Sequence, residues 1–209
     1  MKRVLVALLL MLGTAAIMPN TASAQFDLSK LGGMLSGSTS KPKQSPYKSL
    51  AENAPAKSKI VGEWRYNSFD IEYLGNNSFA ETAIAQIKSY ARMELQQVGA
   101  TPACFSITLR SNGKGSFHYG DSIYEGGYTY DESSAHFELK ATAENGNKLN
   151  CNGFLKMVDG KLAVMLAAED AMRAITAIIP EAQNDSTFLS IKSAVESFPG
   201  IYITVLLNR

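Results

Sequence analysis

Two cysteines, two histidines and a single tryptophan are all that the 209 residues contain of those types, and each scarcity removes a class of function. His118 and His136 have no third ligand at metal-binding spacing, so no metal centre is expected. A Ser-His-Asp nucleophile needs an imidazole within reach of a buried serine, and the chain carries no G-x-S-x-G elbow. No glycine-rich loop opens a helix after a strand, which leaves nucleotide binding unsupported. Positive charge is not in excess either. The 20 Lys and Arg stand against 19 Asp and Glu, so there is no electrostatic case for nucleic acid. None of these patterns calls for a cofactor.

Long apolar runs are also missing, with one exception at the N-terminus. Lys2 and Arg3 precede the run Val4 to Met18, and Thr21-Ala22-Ser23-Ala24 follows before Gln25. A basic start, an apolar middle and a small-x-small end form a secretory signal peptide over residues 1–24. The run falls short of the roughly 20 residues that span a bilayer, and nothing later in the chain is long and apolar enough to be transmembrane. The expected location is therefore exported: periplasmic, extracellular or associated with the outer membrane.

Residues 25–59 read as a flexible linker. Within it, residues 41–59 hold Pro42, Pro46 and Pro55 and the lysines Lys41, Lys43, Lys48, Lys57 and Lys59 against the one acid Glu52. So little apolar surface cannot offset the entropy of ordering. The alternative use for those lysines is docking on an anionic envelope surface.

From Ile60 to Arg209 the pattern is mainly β. Strand character falls on Ile60 to Tyr73, Cys104 to Arg110, Lys114 to Tyr119, Ile123 to Tyr130, Ala135 to Thr142, Lys148 to Val158, Lys161 to Ala168 and Ile201 to Asn208. Turn sequences such as Ser111-Asn112-Gly113, Gly120-Asp121 and Asp159-Gly160 join the second to seventh strands. Short hairpins make consecutive strands antiparallel neighbours, so the middle of the domain is a meander.

The other two connections are long and helical. Ser78-Phe79-Ala80-Glu81 is a capping box, after which Ile84, Ile87, Ala91, Leu95 and Val98 recur at helical spacing until Gly99 and Pro102. Glu169 to Ile179 and Ser186 to Phe198 supply two more helices before the last strand. In an eight-stranded antiparallel barrel every odd-to-even connection lies at the same end. Both insertions, between strands 1 and 2 and between strands 7 and 8, therefore form a helical lid over one mouth.

Alternation places Phe105, Ile107 and Leu109, then Phe117 and Tyr119, Phe137 and Leu139, Leu155 and Met157, and Ile201, Ile203 and Val205 inside. His118 and His136 have the opposite parity. Tyr124, Tyr128 and Tyr130 share a face of the fourth strand, with Gly126 expected to leave open space beside the rings. Phe105, Phe117, Tyr119, Tyr128 and Phe137 are the candidate ligand-binding side chains, because aromatic bodies and tyrosine hydroxyls suit amphipathic molecules. Asp70 and Glu72 share one parity near the lidded end and are the one carboxylate pair available to a hydrolytic site.

Cys104 and Cys151 do not form a C-x-x-C, and export permits a disulfide between them. Strict parity opposes that bridge, pointing Cys104 outward and Cys151 inward on strands that are not neighbours.

The head of the first strand reads Ile60-Val61-Gly62-Glu63-Trp64-Arg65-Tyr66. Its Gly62-x-Trp64 motif resembles the opening of the lipocalin barrel, and the layout over residues 60–209 is similar to an exported lipocalin-like (calycin-type) family of unknown function from Gram-negative anaerobes. The resemblance implies an eight-stranded antiparallel up-and-down barrel. It also implies that Trp64 plugs the end opposite the mouth, with Arg209 lying against it as a latch beside Gly62. Ordinary lipocalins have a loop where this chain has its first inserted helix.

Two functions fit this expectation. One is a non-enzymatic binding module that holds a small apolar or amphipathic molecule in the barrel. The other is a structural or protein-interaction module of the cell envelope with a filled core. They differ in whether the barrel keeps an internal void of about 300 Å³, the lower end for small-molecule pockets.

Overall fold

The structure is a computed structural model that describes residues 50–75, 105–178, 180–184 and 200–209, with Ile84, Lys88, Leu189 and Lys192 as single positions. The expected signal peptide, the expected linker up to Ser49, most of the helix expected in the first insertion, Cys104 and most of the last expected helix lie outside the described residues.

A four-residue helix, α1 (Lys57–Ile60), leads into eight strands: β1 (Gly62–Tyr73), β2 (Phe105–Leu109), β3 (Lys114–Tyr119), β4 (Ser122–Asp131), β5 (His136–Ala143), β6 (Lys148–Val158), β7 (Lys161–Ala167) and β8 (Ile201–Asn208). The helix α2 (Ala168–Ile178) and a 3-10 helix (Pro180–Asn184) follow β7. Every strand pairs antiparallel with its neighbour in sequence, and β1 pairs with β8 from Arg65↔Asn208 to Tyr73↔Ile201, which closes the barrel.

The strand ends are set by turn chemistry. At the β6–β7 hairpin, Asp159 and Gly160 both take positive φ, +49° and +78°, the conformation of a two-residue turn whose twist matches its strands. Aspartate and glycine are among the residues that accept it at least cost.

The two long connections leave from one end. There the Leu74 amide donates to the Gly200 carbonyl at 2.8 Å, so the start of one insertion touches the finish of the other. Helix α2 packs on β6, β7 and β8 at this lidded end. Ile84 and Lys88, both helical, come from the first insertion; Ile84 is buried in the main core.

The opposite end is filled. Ile60, Trp64, Leu109, Phe137, Leu155, Leu162 and Leu207 are each at most 1% exposed. Ordered packing starts upstream of Ile60, the boundary expected from composition. Leu50 is buried against Met165 and Tyr202, and Pro55 is buried with its carbonyl accepting the Tyr130 hydroxyl at 2.8 Å. Two apolar contacts and one hydrogen bond are what the low average hydropathy of the segment concealed.

Strands β7 and β8 are covered on both faces. Val164, Leu166, Ile203 and Leu207 are buried toward the barrel interior, while Ala163, Met165, Tyr202 and Thr204 are buried with the opposite parity. Their sequences, Leu162 to Ala167 and Ile201 to Leu207, are accordingly near-continuous apolar runs rather than alternating ones.

Candidate functional site

At the closed end the Arg209 guanidinium carbon lies 4.9 Å from the centre of the Trp64 ring. The same guanidinium donates to the carbonyls of Lys59 and Val61 at 3.0 and 3.1 Å. The indole N–H donates to the Ile60 carbonyl at 2.7 Å. Gly62 (φ +143°) passes beneath the guanidinium; a Cβ there would stand 3.7 Å from Arg209 Nε, and that backbone angle is one that other residues rarely adopt. The cation over the ring is worth roughly 0.5–2 kcal/mol. This end is a plug with no room for a ligand.

Toward the lidded end the barrel keeps a cavity of about 110 Å³. Its wall has three sectors. Tyr66, Phe69, Phe105 and Phe117 supply rings from β1, β2 and β3, with Tyr66 and Phe105 centred 5.0 Å apart and Phe105 and Phe117 5.6 Å apart. Val164, Leu166, Ile203 and Val205 supply branched aliphatic groups from β7 and β8. The roof is the face of α2 that carries Ala171, Ala174, Ile175 and Ile178, the i, i+3, i+4 and i+7 positions of one helical stripe.

The structure separates the five aromatic side chains singled out from the sequence. Phe105 and Phe117 line the cavity. Tyr119 packs against the core without bordering the cavity, and Tyr128 and Phe137 stack 6.1 Å apart in the filled end. The tyrosine hydroxyls on β4 serve the loops: Tyr128 donates to the Arg110 carbonyl at 2.9 Å, Tyr130 donates to Pro55, and Tyr124 bonds with Asn147. Gly126 leaves no open space among them. A Cβ there would fall 1.9 Å from the Lys140 carbonyl oxygen, so the glycine marks a close approach of two backbones.

Cys151 points inward and lines the cavity as a free thiol. Burial pushes it up to about 12 from its ordinary 9.0, and the negative charge of Asp170 acts in the same direction. Tyr130 is likewise pushed up to about 12 from 10.0, by burial first and then by Glu132 and Asp131. Both groups are neutral acids that the folded state holds protonated longer than the unfolded chain does. Their contribution to stability is complete below pH 9, where neither unfolded group has ionised. It is lost as pH rises toward 12, because the unfolded chain releases these protons first. Urea unfolding midpoints are expected to stay level from pH 7 to about 9 and to fall above it. A midpoint that rises in that upper range would contradict the buried placement of both groups.

Asp70 and Glu72 face out of the barrel, with Phe69 and Ile71 between and beside them facing in. Lys156 Nζ bonds both oxygens of Glu72 at 2.8 and 3.1 Å, and Thr204 Oγ1 donates to the same carboxylate at 2.8 Å. Asp70 pairs with Lys88 at 2.5 Å. These carboxylates therefore hold the outer wall and the first insertion, and they do not meet the cavity. His118 contacts Ser116 Oγ at 3.3 Å and His136 contacts Asn152 at 2.7 Å, both with the outward parity. Among the described residues no cluster of His, Cys, Asp and Glu could hold a metal ion. Also among them, no helix is long and apolar enough to cross a membrane.

Sequence reasoning placed a helical lid here and missed which of its side chains face the cavity. Ala171 and Ala174 look like ordinary helix formers, and the signal that could have exposed them is their position on the same stripe as Ile175 and Ile178.

A family model described as Lipocalin-like domain (DUF4923) matches residues 39–209. Among solved structures, the chain is similar to a crystal structure of a DUF4847 family protein from Bacteroides vulgatus ATCC 8482. The two are 12% identical, the match covers 70% of this chain and 92% of that one, and the TM-score is 0.33. No curated protein matches.

Proposed function

Given that the chain belongs to the DUF4923 family of lipocalin-like domains, we propose that it is an exported, non-catalytic carrier that holds a small apolar or amphipathic molecule inside its barrel. The observation that carries the proposal is the cavity of about 110 Å³ beneath α2, whose described lining residues are apolar apart from Tyr66 and Cys151. An empty apolar space inside a barrel forfeits packing contacts, and a guest would restore them. Export rests on the basic, apolar and small-x-small pattern of residues 1–24.

Native mass spectrometry of protein purified from its own cell envelope tests the reading. The expected spectrum shows a mass increment that disappears on denaturation. A protein that arrives bare, and that also stays bare when offered apolar compounds, would refute it.

A second reading is favoured by the size of the cavity. At about 110 Å³ it is below the roughly 300 Å³ where small-molecule pockets begin, and the Trp64 end is solid. A structural or protein-interaction module of the envelope needs no more space than this.

A further inference from the structure

We infer that the cavity accepts only uncharged molecules of about one six-membered ring, and that Ala171 and Ala174 of the roof helix set this limit; the inference rests on the carrier reading above. Three observations combine. The first is charge. No Asp, Glu, Lys, Arg or His is among the described lining residues. A carboxylate or ammonium brought inside would lose its hydration without gaining a partner, which is the most expensive form of burial.

The second is volume. An apolar cavity of about 150 Å³ accommodates benzene, so a space of about 110 Å³ admits a guest of about one ring and not a long chain. A long acyl chain does not fit within the walls as they stand. The third is shape. The tilted rings of Tyr66, Phe105 and Phe117 run along one side, with branched aliphatic side chains across from them. Ring edges and faces opposite methyl groups suit a flat guest, which can pack offset or edge-on against the aromatic side.

The limit has an identifiable origin. Ala171 and Ala174 are 4% and 7% exposed, lie one turn apart on the stripe of α2 above the cavity, and present only a methyl group where Ile175 and Ile178 present four carbons. Leucine at either position keeps a strong helix former in the helix and sends three further carbons into the vacant space. The guest loses its room while the core gains contacts.

The test uses the purified exported chain and its A171L and A174L variants, titrated separately with toluene and with decanoate. Binding is read from the methyl NMR signals of Ile175, Ile203 and Val164. Toluene is expected to shift these signals saturably in the natural chain, and decanoate is expected to leave them in place. Each leucine variant is expected to weaken toluene binding at least tenfold with a melting temperature equal to or above that of the natural chain. Because either variant alone could misfold, the one that retains native methyl dispersion is decisive.

Decanoate binding as tight as toluene binding would overturn the exclusion of charge and long chains while leaving the carrier reading intact. Undiminished toluene binding by a folded leucine variant would overturn the role of the two alanines. If neither compound shifts the natural chain, this inference and the carrier reading fall together.

Discussion

Replacing Trp64 with alanine is expected to remove about 4 kcal/mol of folding stability, within the range of about 3–5 kcal/mol for truncating a buried aromatic. Trp64 is 1% exposed at the floor of the barrel, so its loss opens a void that the surrounding strands, closed into a ring, cannot collapse to fill. The same substitution leaves the Ile60 carbonyl without its indole donor and Arg209 without its ring. Domains commonly have only about 5–15 kcal/mol in total, so a variant this weakened should be substantially unfolded at moderate urea. W64F separates the contributions: it restores most of the packing and none of the hydrogen bond, and should recover the larger part of the loss. R209A should cost far less, about 1 kcal/mol, since the cation gains only a stacking contact and two surface-side carbonyls. Urea titrations of the three variants check the order. A W64A loss below 1 kcal/mol would mean that the ring is not the plug described here.

Two glycines are expected to resist even a methyl group. A Cβ on Gly153 would fall 2.1 Å from the Met165 carbonyl oxygen, and one on Gly126 would fall 1.9 Å from the Lys140 oxygen and 2.7 Å from Ala141 Cα. The obstacles are mainly backbone atoms of the neighbouring strand, which cannot swing aside as a side-chain end can. G126A and G153A should each cost about 3 kcal/mol, the upper part of the usual overpacking range, because a strand pair has to separate to admit the methyl. Gly127 is the internal control. Its Cβ would have only the Gly113 oxygen at 3.5 Å, an ordinary contact, so G127A should be nearly neutral or slightly stabilising through the unfolded chain. Thermal melts of the three single variants decide the matter: equal melting temperatures would show that the strands do not approach as closely as described.

Gly126 also shows where reading from the chain alone fails. Parity puts it on the tyrosine face, where a missing side chain reads as space. Parity carries no information about how closely two backbones approach, and it is that approach which puts the Lys140 carbonyl in the way. Tight turns were legible because their chemistry is local: Asp159-Gly160 needs nothing beyond its own two residues. The contact between Trp64 and Arg209 was legible for another reason. The lipocalin resemblance implied it, and strand number with antiparallel order returns β8 to the end where β1 begins.

The cavity was not legible, since its volume depends on the distance between α2 and walls contributed by β strands far apart in the chain. Tyr128 and Phe137 share the inward parity of Phe105 and Phe117, and only height along the axis tells the filled end from the hollow one. The double covering of β7 and β8 left a clear trace in their near-continuous apolar runs.

The seam between β1 and β8 bears on how this domain can meet another protein. Each described strand is hydrogen-bonded to a neighbour on either side, so none of them is an edge strand, and one-sided stretches occur where strands overhang, as on β1 beyond Arg65, which pairs with β8 and not with β2. Recognition by strand addition is therefore confined to such overhangs unless that seam parts, and elsewhere a visiting partner has to be read by side chains and loops.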